Sequence, residues 1–179
     1  MSFEQALSFT LREEGGFVNN PDDDGGATDH GVTQAVYDAY RAAQRQPAQS
    51  VALISDAEME DVYETRYWVP GHCAELPAAL GIVHFDWCVN HGPTGAIKTL
   101  QEVLGLKEGD VDGVFGPVTR AALEGQDTKK LVVAYSHARA AWYSAFAQAR
   151  PAEAQFLAGW LARDFRIQSW ALGVADAGA

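Results

Sequence analysis

Apart from one stretch near its start, the chain places apolar residues at helical spacing almost from end to end, and no strand-like alternation of any length appears. That period makes a mainly α fold the expectation. Phe3, Ala6, Leu7, Thr10 and Leu11 share one face behind a capping-box pattern of Ser2 and Gln5. Val36, Tyr37 and Tyr40 mark a second helix after Thr33. Ser55 and Glu58 form another capping box, ahead of a stripe of Met59, Val62, Tyr63, Arg66 and Tyr67 that Pro70 stops. "LGIVHFDWCVNHGP" is an apolar helix carrying Asp86 and Asn90, and Ile97, Leu100 and Val103 line the next. "VTRAALEG" gives a short helix. Leu131, Tyr135, Ala138, Trp142 and Ala145 run along a long one that Pro151 closes, and Phe156, Leu157, Trp160 and Leu161 belong to the last. Trp142 and Trp160 read as core. A chain of 179 residues fits one sizeable domain or two small, closely packed ones.

The exception is "REEGGFVNNPDDDGGATDHGVT", residues 12–33, which has no clean period and is rich in Gly and Asp. It reads as an ordered loop with a short hairpin. When the first helix is projected, Glu14 falls in the middle of the apolar stripe and Glu13 outside it, toward water. Glu14 also ends the helix, where the negative pole of the macrodipole disfavours a carboxylate. Glu13 and the run Asp22–Asp24 add like charge, and partial burial adds desolvation. Each effect raises the pKa, as a general acid requires. Gly15, Gly16, Gly25 and Gly26 clear bulk from two turns, which suits a cleft where a ligand approaches backbone. The bland alternative is a glutamate that bonds amides of the glycine turn. Neither "PDDDGG" nor "GDVDGVFGP" has the ligand positions of an EF-hand loop, so no metal site is expected.

The net charge of −11 argues against nucleic acid and against anionic membrane surfaces as partners. No apolar run is long enough to cross a bilayer, and the first residues lack the basic start and apolar core of a secretory signal. Synthesis in the cytoplasm without a signal peptide is therefore the expectation. Cys73 and Cys88 are too far apart for a CxxC motif and read as two buried thiols, with a single disulfide as the alternative.

These residues resemble glycoside hydrolase family 108, peptidoglycan muramidases found as phage endolysins and secretion-associated lysozymes. The family pairs E-G-G with P-x-D-x-G-G-x-T-x-x-G-[IV]-T, and "EGGFVNNPDDDGGATDHGVT" is similar at nearly every position, departing at Asp24 where proline is usual. "YETRYW" resembles the family's aromatic helix end and "FDWCVNHGP" its D-x-x-x-N-x-G-P segment. "LQEVLGLKEGDVDGVFGPVTRAAL" resembles the D-G-x-x-G-x-x-T turn of a small helical peptidoglycan-binding module, and "FLAGWLARDF" its G-W-x-x-R end.

The resemblance implies a lysozyme-like helical fold, with residues 1–92 catalytic and residues 93–179 a peptidoglycan-binding-like helical region packed on them as one unit. It implies hydrolysis of the β-1,4 bond between N-acetylmuramic acid and N-acetylglucosamine, with peptidoglycan glycan strands as partner, no cofactor, and a monomer. Glu14 matches the E-G-G acid and Thr28 the threonine of G-G-x-T. Asp23 matches the second carboxylate of related phage lysozymes by its spacing alone. Glu14 would protonate the leaving oxygen, Asp23 would activate water or stabilise charge on the sugar, and Thr28 would hold that water. Tyr67 and Trp68 are candidates to stack on sugar rings, with core packing as the alternative. Asp86 and Asn90 either face the cleft or belong to a buried network bracing the catalytic helix. His84 and His91 read as structural or exposed. The wall would be reached after holin-type or dedicated release. A non-catalytic wall-binding module or a secretion-associated factor is the alternative function.

Overall fold

The computed structural model describes residues 3–14, 28–29 and 31–177, which fall into two compact units, Ser2–Arg66 and Tyr67–Ala179. The architecture is mainly α, as the period of the sequence requires.

In the first unit, α1 (Phe3–Glu14) buries Ala6, Leu7, Phe9 and Thr10 and leaves Phe3 and Leu11 half-buried. The buried face thus includes Phe9, which the expected stripe omitted. The Ser2 cap lies outside the described residues. A hairpin of β1 (Thr28–Asp29) and β2 (Val32–Thr33) pairs Thr28 with Thr33 and Asp29 with Val32. It turns through Gly31 at φ 78°, a conformation glycine adopts without strain. Thr33 ends the hairpin and begins α2 (Gln34–Ala43), its Oγ1 accepting from the amide of Val36 at 3.3 Å.

The predicted Ser55–Glu58 capping box opens α3 (Asp56–Tyr63). The same Glu58 carboxylate accepts from Tyr37 Oη at 2.9 Å and Arg41 Nη1 at 2.6 Å, binding α2 to α3. Burial would raise Glu58, but hydrogen bonds from Ser55 and Tyr37 and the Arg41 charge hold it below the usual carboxylate range. Tyr40 Oη donates to Asp61 Oδ2 at 2.8 Å on the same seam.

After Tyr63 the helix widens into a π-helical turn, Glu64–Trp68. A π turn brings residue i+5 rather than i+3 or i+4 over residue i. Tyr63 and Trp68 are accordingly both buried, while Arg66, expected on the buried stripe, is exposed.

The second unit is built around α4 (Ala78–His91), buried at every position from Ala79 to Cys88. Against it pack α5 (Pro93–Val103), α7 (Thr128–Ala149) and α8 (Leu157–Ala177), with α6 (Pro117–Leu123) between α5 and α7 in the chain. The expected division at residue 92 falls between α4 and α5, two helices that pack on each other, whereas the packing division falls at Arg66 and Tyr67.

In α7 the buried residues are Leu131, Val132, Tyr135, Ser136, Arg139, Tyr143 and Ala147. Of the expected stripe, Ala145 is exposed and Ala138 and Trp142 are only half-buried. In α8, Arg163, Asp164, Ile167 and Ala171 are buried, while Phe156 lies before the helix and is exposed. Trp142 and Trp160 are half-buried in an aromatic cluster: Trp142 meets Trp87 edge-on at 5.4 Å, and Trp160 stacks on Tyr143 at 5.4 Å.

His84 is wholly enclosed. Gly71 O can only accept, so Nε2, 2.9 Å away, carries the ring proton. Nδ1 faces Tyr135 Oη at 2.8 Å, whose single proton it shares with Ala96 O at 3.0 Å. Burial, then the nearby Arg139 charge, push its pKa down to about 4. A histidine lowered on folding contributes stability that is complete above its unfolded pKa of about 6.5 and lost as pH falls toward 4. The melting temperature should therefore drop between pH 7 and 4, and His84→Gln should flatten that slope while lowering the plateau. An unchanged slope in the variant would show that other groups carry the acid sensitivity.

Candidate active site

Glu14 is the last residue of α1, and Thr28 opens β1, with its Cα opposite Thr33. Both belong to the first unit. Asp23 lies outside the described residues. Glu13, expected toward water, is half-buried. Leu11 and Arg12 at the end of α1 and Asp56, Met59 and Glu60 of α3 line a shallow groove of about 430 Å³.

The other predicted ligand-facing residues lie in the second unit. Trp68 is buried edge-on against Phe85 at 5.4 Å, so its ring is engaged in packing, and Tyr67 is half-buried. Asp86 corrects the cleft expectation: it is fully buried, and both its oxygens are committed within the protein. Oδ2 accepts from Arg139 Nη2 at 2.7 Å and Oδ1 from Arg163 Nη2 at 2.7 Å. Burial alone would raise its pKa, but the two guanidinium charges hold it below the ordinary range. Asp164 extends the network, Oδ1 lying 3.0 Å from Arg139 Nε as an ion pair misaligned for a hydrogen bond. Its burial outweighs the Arg139 charge and lifts it to about 6. Asn90 is exposed at the other end of the same turn, its Nδ2 donating to Asp86 O at 2.7 Å.

The family model for glycosyl hydrolase 108 matches residues 7–92, and one for a predicted peptidoglycan domain matches residues 95–165. A solved structure described as "Structure of Brucella abortus SagA" is 31% identical, with a TM-score of 0.78 over 96% of this chain and 94% of that one. The chain belongs to glycoside hydrolase family 108. No curated protein matches it. As a member of this family it is a glycoside hydrolase that acts on peptidoglycan, its peptidoglycan-directed segment following the hydrolase segment in the chain.

Two of the family motifs meet in the buried network. Asp86 comes from the D-x-x-x-N-x-G-P segment inside the hydrolase match, and Arg163 ends the G-W-x-x-R segment inside the peptidoglycan-domain match. The D-G-x-x-G-x-x-T segment also proves to be a stitched turn. Buried Gln101 donates to Asp112 Oδ1 at 2.8 Å and Thr119 Oγ1 at 3.1 Å, and accepts from the Gly113 amide at 2.9 Å. Gly113 has φ 80°, and a Cβ there would lie 2.6 Å from the Thr94 methyl, so only glycine fits.

Arg139 and Asp164 belong to this network and carry no family motif. The available signal was spacing: Arg139 falls four residues after Tyr135 and four before Tyr143, on the face that packs inward.

Proposed function

We propose that this hydrolase is an N-acetylmuramidase, cleaving the β-1,4 bond between N-acetylmuramic acid and N-acetylglucosamine with Glu14 as general acid. The supporting observation is placement. The E-G-G glutamate ends α1 and the G-G-x-T threonine opens β1, within one unit and inside the segment matched to the hydrolase family. A helix C-terminus raises the pKa of a carboxyl there. Asp23 activates the attacking water or stabilises charge on the sugar, and Thr28 holds the water. The enzyme acts as a monomer on the wall after holin-type or dedicated release.

Digestion of purified sacculi followed by borohydride reduction and mass spectrometry tests the bond. Muramitol ends support the proposal, and glucosaminitol or anhydromuramic ends sink it. The anomer formed first, read by NMR on a muropeptide oligomer, tests the role of water. An α-anomer means inversion through a water between the carboxyls, and Thr28→Ala should then cost about 10-fold or more in rate. A β-anomer with a nearly silent Thr28→Ala would remove Thr28 from that role.

A further inference from the structure

Cys73 and Cys88 are the two cysteines of the chain, and both are buried free thiols. Cys88 sits in the middle of α4. Cys73 begins a short 3-10 turn, Cys73–Glu75, that follows the tight turn at residues 69–72. Their sulfurs and a ring nitrogen of His84 all lie within 4.8 Å of one another.

Two glycines allow this approach. A Cβ on Gly71 would lie 2.6 Å from Cys88 Sγ and 3.0 Å from Cys73 Sγ, so the backbone of residue 71 rests directly on the sulfur pair. A Cβ on Gly81 would lie 2.9 Å from Cys73 O, so α4 lacks a side chain where the Cys73 backbone presses on it. The trio could hold a soft metal ion only if His84 released one of its two hydrogen bonds. Nε2 donates to Gly71 O, and Nδ1 faces the Tyr135 hydroxyl at 2.8 Å. What remains is two thiols facing each other.

We infer that Cys73 and Cys88 are a redox pair, reduced in a reducing compartment and closing to an intramolecular disulfide when the chain meets a disulfide oxidant. The thiolate of one cysteine attacks a sulfur of the oxidant, forming a mixed disulfide and releasing one thiol. The thiolate of the other then attacks the protein sulfur, forms the Sγ–Sγ bond and expels the second thiol. Two protons leave the protein, and two electrons end in the reduced oxidant. Burial keeps the Cys88 thiol protonated, so closure belongs to the folding chain or to opening of the 69–76 turn that carries Cys73. The bond then fastens that turn to the middle of α4.

The test uses the full chain, refolded in a glutathione redox buffer and compared with the same protein kept in dithiothreitol. The oxidised form should lose the mass of two hydrogens and titrate no thiols after denaturation. Peptide mapping should join the segments carrying Cys73 and Cys88. Closing a loop of about 15 residues should raise the melting temperature by about 5–10 °C over the reduced form. Cys73→Ala and Cys88→Ala should each abolish the redox-dependent difference. Two persisting thiols, glutathione adducts or dimers joined between chains would overturn the inference. So would stoichiometric zinc uptake by the reduced chain that His84→Gln abolishes, since that outcome assigns the trio to a metal. Neither thiol count nor melting involves wall cleavage, so failure here and failure of the proposed reaction are told apart.

Discussion

Glu14→Gln should lower wall lysis by a factor of at least about 10², with the circular dichroism and melting temperature of the parent retained. The amide keeps the size and shape of the side chain and removes only the transferable proton. As the proposed general acid at the end of α1, Glu14 must carry a proton to act. Activity should accordingly fall as pH rises through the pKa of that group. A rate still climbing well into alkaline pH would remove a protonated carboxyl from the mechanism. Glu13→Gln is the matched control and should stay within several-fold of the parent. Glu13 is half-buried and has interactions of its own, so its melting temperature belongs in the comparison. If Glu13→Gln were the dead variant and Glu14→Gln the active one, the acid would be misassigned.

The second large effect is on stability. Asp86→Asn keeps the volume and removes the charge that the guanidinium groups of Arg139 and Arg163 share, leaving Asp164 as the carboxylate that faces Arg139. Breaking a buried ion network from one side costs about 3–5 kcal/mol. For a chain of this size that lowers the melting temperature by about 10 °C. Arg139→Met, which strands two carboxylates instead, should cost a similar amount. Thermal melts together with turbidity assays on sacculi separate the two roles considered for Asp86. Lost stability with residual activity per folded molecule fits the bracing network. Full stability with lost activity would return Asp86 to the cleft.

How far the sequence carried the fold depended on whether the deciding interactions were local. The Ser55–Glu58 box, the helix after Thr33 and the apolar run of α4 are written in residues a few positions apart, and each lies where its pattern placed it. The π turn is not legible, because a 3.6-residue period carried through Tyr67 places Arg66 on the buried stripe, where the structure leaves it exposed. Arg139 is hidden in the sequence for a different reason. A lone arginine reads as solvated, and its burial makes sense with Asp86, 53 residues away in the chain, and Asp164 supplying opposite charge. At the candidate site the helix end and the hairpin were legible from glycine spacing. Asp23 rested on its distance in sequence from Glu14, and it lies outside the described residues.

The meeting of Asp86 with Arg163 bears on how enzymes of this kind can be recombined. The natural place to cut, by family segments, is the gap between residues 92 and 95. A graft made there would carry Arg163 away from Asp86 and part α4 from the helices it packs on. Each half would inherit a charge chosen for a neighbour it no longer has. A cut that keeps this network whole falls near Tyr67, where the packing divides, and carries α4 together with the helices it packs on.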